Sequence, residues 1–229
     1  MRIIGLIGGM SWESTVSYYK IINNVVKQQL GGLHSARCIL YSVDYQEIEE
    51  CQKEGRWQDS AEILGHAAKS LEAGGADFIV ICTNTMHKVA DAIGKQVKIP
   101  ILHIGDATAD VILDKGIRRI GLLGTAYTME QDFYIERLRK KGLDVIIPGK
   151  DARHEINRVI FEELCLGEIR DESRDYFLEC IRSLASQGAE GVILGCTEIG
   201  LLVQQDDTDV LLFDTAEIHA ENAALYALS

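Results

Sequence analysis

The chain has 229 residues, 47% of them hydrophobic, and a formal net charge of -12. That length admits one large α/β domain or two of about 100 to 120 residues each. The acidity argues against nucleic acid or an anionic membrane surface as partner, since either needs a basic patch. No stretch approaches the ~18 apolar residues of a membrane span. The opening MRIIGLIGG has one positive charge and an apolar run, but the run is short for a signal peptide and Trp12 and Glu13 follow at once. It reads as a first buried strand. The six cysteines form no CxxC pair and no histidine lies at a zinc-binding spacing from them. Free thiols in a reduced, cytoplasmic setting are the expectation.

Taken in chain order, short apolar runs alternate with helix-length patterns. A strand at residues 2–7 enters Gly8-Gly9-Met10-Ser11, with Ser11 as the N-cap of a helix at 13–30 and Trp12 expected in the core. A strand at 36–43 and a helix at 59–73 follow, then a strand at 77–81 that ends in Cys82-Thr83-Asn84-Thr85. Further strands fall at 99–103 and 119–123, the latter running into Gly124-Thr125. A helix at 129–140, a strand at 144–147 and helices at 156–165 and 172–187 come next. The strand at 190–194 ends in Gly195-Cys196-Thr197-Glu198, and a last strand at 210–213 precedes a terminal helix. Such alternation predicts parallel strands joined by right-handed helical crossovers, a doubly wound α/β sheet with ligands at the carboxyl ends of its strands.

The chain also echoes itself. RIIGLIGGMS at 2–11 resembles RIGLLGTAYT at 119–128, and EAGGADFIVICTNT at 72–85 resembles ASQGAEGVILGCTE at 185–198. Matched segments in matched order predict two pseudo-symmetric doubly wound lobes with parallel sheets and a cleft between them. The expected division is 1–101 with 209–229 for the first lobe and 102–208 for the second, the last strand and helix returning to the first.

The strand tips carry the candidate chemistry. Cys196 follows a glycine at a strand end and precedes a helix start, where N–H groups and the helix dipole are expected to lower its thiol pKa. The other cysteines read as small core hydrophobes. Thr83, Asn84 and Thr85 suit either helix capping or carboxylate binding at the opposite tip. Strand alternation turns Cys82 away from that tip. The Gly8-Gly9 turn departs from the dinucleotide fingerprint but fits an anion nest, and Thr125 occupies the matching place in the second half. Gln52, in ECQKEG, reads by its place as an exposed helix-end residue.

The segments GLIGGMSWEST, EIEECQKEG, CTNTMHKVAD, GTAYTMEQDFY, EELCLG and GCTEIGLL together resemble the aspartate/glutamate racemase family over nearly the full chain. The resemblance implies an amino-acid racemase that uses no pyridoxal phosphate or other cofactor and binds no metal. In that family one cysteine removes the α-proton and a second reprotonates the opposite face. Cys196 matches the second cysteine, whereas Thr83 stands in place of the first. Met10, Gln52, Thr83, Asn84, Thr85, Thr125, Thr197 and Glu198 are then the expected substrate-binding residues. Cys165 replaces the lysine by which aspartate-selective relatives pair the distal carboxylate, so neutral substrates such as homoserine enter the range. A homodimer is implied by the same resemblance. The alternatives are a decarboxylase or cis–trans isomerase of the same superfamily, or a non-catalytic amino-acid-binding protein.

Overall fold

The apolar runs become strands because β-branched and leucine side chains fill both faces of a buried parallel sheet. The computed structural model describes residues Met1 to Ser229, in two units, Met1–Ile104 with His219–Ser229, and Gly105–Ile218. The first contains β1 (Ile4–Gly8), α1 (Trp12–Leu30), β2 (Cys38–Ser42), α2 (Tyr45–Lys53), α3 (Trp57–Ala73) and β3 (Phe78–Ile81). A 3-10 turn (Thr85–Val89), α4 (Ala90–Gly94) and β4 (Ile101–Leu102) complete its sheet, ordered β2-β1-β3-β4. All its strand pairs are parallel. The core on one face joins Ile7, Ile79 and Ile81 to Leu64, Ala68 and Leu71 of α3.

The chain leaves this unit at the start of α5 (Ile104–Asp114) and builds β5 (Arg119–Gly124), α6 (Ala126–Glu130), α7 (Asp132–Lys140) and β6 (Asp144–Ile146). Next come α8 (Lys150–Glu162), a 3-10 turn (Leu164–Leu166), α9 (Asp171–Ser186), β7 (Val192–Gly195), α10 (Ile199–Leu202), β8 (Leu212–Asp214) and α11 (Thr215–Leu228). The second sheet is ordered β6-β5-β7-β8 and is also parallel. Relabelled from its own first strand, this is the order of the first sheet, and the echoed segments supply β1 and β5, then β3 and β7. The two-lobed repeat read from the sequence is therefore present in the topology.

Several boundaries differ from expectation. The last strand does not return to the first unit: β8 pairs with β7, Val192 opposite Leu212, and only the chain from His219 onward rejoins it. As the fourth strand of a repeated sheet, β8 completes the second copy as β4 completes the first. Short α2 and α5 were not anticipated. The helix expected at 129–140 divides at Gln131, whose backbone is extended. The helix expected at 156–165 begins at Lys150 and stops at Glu162, before a turn closed by left-handed Gly167 at φ 77°. Trp12, expected in the core, is 64% exposed, because Tyr18, Ile22 and Val26 form the buried stripe of α1. No helix is long and apolar enough to cross a membrane.

Candidate active site

In the second unit, β5 and β7 are hydrogen-bonded neighbours with Gly124 opposite Gly195. Thr125 and Cys196 therefore leave adjacent strands at the same sheet edge. A side chain at Gly195 would lie 2.8 Å from the Leu123 carbonyl, so glycine is what lets the strand run on to Cys196. The Cys196 thiol is buried and donates to Glu198 Oε2 at 3.0 Å. The Thr197 hydroxyl donates to the same oxygen at 2.8 Å. Glu198, itself buried, opens α10. Thr125 caps α6, its Oγ1 accepting the Thr128 N–H, while the Ala126 N–H donates to Asn157 Oδ1 at 2.8 Å.

This arrangement overturns the expected acidification of the thiol. Burial pushes the Cys196 pKa well up, and the neighbouring Glu198 charge pushes it further. The following helix spans only Ile199–Leu202, too short for an appreciable dipole. The resting pair is a protonated thiol against a carboxylate. Chemically, that is a nucleophile held beside its own proton acceptor, 3.0 Å away.

In the first unit, β1 and β3 run in register up to Ile7 opposite Ile81, so the glycine turn and the Thr83 tip share one edge. Cys82 is fully buried, and its thiol is raised by that burial. It belongs to the core, as strand alternation implied. Thr83 is half-buried; its N–H donates to the Ile81 carbonyl at 2.9 Å, and its carbonyl accepts from His87 Nδ1 at 2.8 Å. Asn84 and Thr85 are buried, and Asn84 does not cap the 3-10 turn through its side chain. Gln52 proves to be buried too, its amide donating to Met86 Sδ at 3.0 Å, which rules out the exposed helix-end reading. Met10 is buried after the glycine turn. The anion-nest reading of that turn fails in part, because the Gly9 N–H is already committed to Thr15 Oγ1 at 2.9 Å. Gly9 itself has φ 93° and no room for a side chain, the Val43 carbonyl lying 2.2 Å from where one would start.

Three features went unread in the sequence. His87 packs with His103 and His219 in the first unit, their rings 4.5 and 5.6 Å from its own. Buried Glu163 accepts from Ser173 Oγ at 2.5 Å and Arg158 at 3.0 Å, which outweigh the burial that would otherwise raise its pKa. It immediately precedes the turn that carries Cys165. Asp214 ends β8 opposite Leu194, two residues before Cys196 on the adjoining strand. Its Oδ1 accepts the Ala216 and Glu217 N–H groups at 2.8 and 3.1 Å, capping α11, while its Oδ2 occupies the space a side chain at Gly200 would need.

Burial pushes the Asp214 pKa up to about 6, with the Glu217 and Glu198 charges adding to it and the two N–H groups opposing. The folded value exceeds the unfolded one of ~3.9. The protonated acid is therefore accommodated at low pH, and stability is lost as pH rises from ~3.9 through about 6, where the buried carboxyl must ionise. Asp214→Asn keeps the capping oxygen and removes the charge. It is expected to raise stability by about 1 kcal/mol at pH 8, allowing for partial exposure, and to lose that advantage at pH 4. Urea midpoints at the two pH values check this; identical wild-type and variant midpoints at pH 8 would refute it.

The Asp/Glu/Hydantoin racemase family profile matches residues 7–223. The crystal structure of an Asp/Glu racemase family protein from Yersinia pestis is 58% identical and superposes with a TM-score of 0.94, covering 100% of both chains. That of an aspartate racemase homologue from Pyrococcus horikoshii is 39% identical with a TM-score of 0.87, again over 100% of both. The broad specificity amino-acid racemase RacX of Bacillus subtilis is 21% identical over 96% of each chain. These relatives are described as amino-acid racemases, which are isomerases, or as their homologues. With its paired parallel sheets, its strand-tip cysteine and a profile match over nearly its whole length, the chain belongs to the Asp/Glu/hydantoin racemase family.

Proposed function

We infer that the chain is an amino-acid racemase in which two side chains, and no pyridoxal cofactor, move the α-proton. The observation that carries this reading is the hydrogen bond from the Cys196 thiol to the Glu198 carboxylate. Glu198 takes the thiol proton, and the thiolate takes the α-proton from one face of the substrate. The Thr83 hydroxyl then delivers a proton to the other face and recovers one from solvent, while Glu198 releases to solvent the proton it took, so thiol, carboxylate and hydroxyl all return to their starting states. Met10, Gln52, Asn84, Thr85, Thr125 and Thr197 bind the substrate's carboxylate, ammonium and side chain. Fixing these groups supplies the orientation that makes proton transfer effectively unimolecular, and donors aimed at the carboxylate stabilise its enediolate-like charge. The working unit is a homodimer, which sedimentation equilibrium checks.

Proton NMR in deuterated buffer, with L- and D-aspartate, glutamate and homoserine, tests the reading. Loss of the Cα–H signal in the wild type and its retention in Cys196→Ala is the expected result. Undiminished exchange in Cys196→Ala would overturn it.

Cys165 also sets substrate range. The EELCLG segment carries Cys165 and no lysine or arginine, so it supplies no fixed cation for a distal carboxylate. Cys165→Lys is expected to raise kcat/KM for aspartate relative to homoserine by about ten-fold, the worth of one charge-assisted hydrogen bond. An unchanged ratio would remove this residue from the specificity argument.

A further inference from the structure

His87 lies four residues beyond Thr83 and is buried. Its Nδ1 is 2.8 Å from the Thr83 carbonyl, and its Nε2 is 3.2 Å from the Ile104 N–H. A carbonyl only accepts and an amide N–H only donates, so Nδ1 carries the hydrogen and Nε2 is bare. The ring is held neutral in one tautomer by backbone groups on both sides. His219 is set in the same way. Its Nε2 donates to the Leu102 carbonyl at 2.9 Å, and its Nδ1 accepts from the Tyr18 hydroxyl at 2.9 Å. Burial, and then the neighbouring His87, lowers the His219 pKa to about 3, so this ring stays uncharged as well. His219 thus forms an uncharged wall on His87, and the His103 ring packs on His87 edge to face from 4.5 Å.

The structure assigns His87 the role of positioning residue for Thr83, a role that rests on the racemase reading. By fixing the Thr83 carbonyl it fixes ψ at Thr83, and with it the strand-tip backbone from which the hydroxyl projects. The same imidazole holds the amide of Ile104, the last residue before the chain leaves the first unit. The tip and the departing peptide therefore share one clamp. Ser14 supplies a second, weaker one, its hydroxyl 3.4 Å from the Cys82 carbonyl. Thr83 is the group whose placement matters most, because a hydroxyl is a poor proton carrier and tolerates little misalignment.

Two isosteric substitutions separate positioning from packing. In His87→Asn the amide nitrogen falls near the Nδ1 position and still donates to the Thr83 carbonyl. In His87→Gln the amide falls near Nε2, keeping an acceptor for Ile104 and losing the Thr83 donor. The readout is the ratio of stereochemical inversion to α-proton exchange, measured in deuterated buffer with whichever of L-aspartate, L-glutamate and L-homoserine the wild type exchanges fastest. Cys196, with Glu198, exchanges the proton of its own face without Thr83, whereas inversion needs Thr83. His87→Gln is expected to lower the ratio about ten-fold with KM unchanged, and His87→Asn to stay within about three-fold of wild type. Equal losses in both variants, or an unchanged ratio in His87→Gln, would overturn the assignment. Long-range 1H–15N NMR of histidine-labelled protein is expected to show the His87 Nδ1–H tautomer from pH 6 to 8. An Nε2–H or charged ring would refute the assignment independently of activity. A wild type that exchanges no amino acid refutes the racemase reading itself and takes this role with it, an outcome distinct from any difference between the two variants.

Discussion

Glu198→Gln is expected to lower racemase turnover by about 100-fold or more while changing KM less than about three-fold. The side chain keeps its shape, and its amide oxygen still accepts from Cys196 and Thr197. What it loses is the capacity to take a proton. With the thiol raised by burial and by the Glu198 charge, little thiolate is present at rest, and it must be made as the substrate reacts. The substitution has a second consequence of opposite sign. Removing the carboxylate removes its repulsion of the thiolate, so the Cys196 thiol becomes more acidic even as turnover falls. Alkylation of Cys196 by iodoacetamide, followed against pH, is expected to reach its midpoint at lower pH in Glu198→Gln than in wild type. A variant that is both slower to racemise and easier to alkylate identifies Glu198 as a proton acceptor. If turnover is unaffected, the carboxylate serves substrate binding, as read from the sequence, and KM is the parameter that moves.

The sheet architecture was legible because a buried parallel strand must be apolar along its whole length and must end in residues that permit a sharp turn. The runs before Gly8, Cys82, Gly124 and Cys196 obey both requirements, and the repetition of two of them in matched order revealed the duplicated sheet. Helices α2 and α5 were missed because they are short. Helix α2 has nine residues and α5 eleven, too few turns for a helical period to stand out from the neighbouring strands and turns. The fate of β8 was illegible because its pairing depends on a neighbour nearly twenty residues earlier, and nothing local distinguishes a fourth strand of one sheet from an edge strand of the other.

At the candidate site, placement at the strand ends was readable and electrostatics were not. Cys196 and Thr83 announce themselves by their place at strand ends. The sign of the Cys196 pKa shift depends on burial and on where the Glu198 side chain turns, neither of which spacing reveals. Gln52 shows the same limit: its sequence position suits an exposed helix end, and only packing against Met86 makes it a buried donor. His87 stood in plain view within TNTMH, but its value lies in two backbone partners, one of them seventeen residues away at Ile104.

Thr83→Ala separates the two halves of the reaction. Inversion is expected to fall by about 100-fold or more, since no side chain then delivers the second proton, while exchange on the Cys196 face persists. Isotope washes into the substrate with its configuration retained, an outcome that simple loss of binding does not produce. Thr83→Cys goes the other way. A thiol has pKa ~8.5 and is a far better proton carrier than a hydroxyl. At the half-buried tip of β3 it has access to solvent that Cys82, locked in the core, lacks. The wild type is expected to favour the enantiomer whose α-proton faces Cys196, because Thr83 donates a proton more readily than it abstracts one. Thr83→Cys is expected to raise the slower direction by about ten-fold and bring initial exchange rates of the two enantiomers to within about three-fold of each other. The equilibrium constant between enantiomers is fixed at one by symmetry, so kcat/KM is equal in both directions in every variant. The asymmetry must appear in kcat and KM separately, and in how fast solvent deuterium enters each enantiomer before it inverts. Wild-type enantiomers that exchange at equal rates, or a Thr83→Cys variant that leaves their ratio where it was, would show that the hydroxyl is not the second proton carrier.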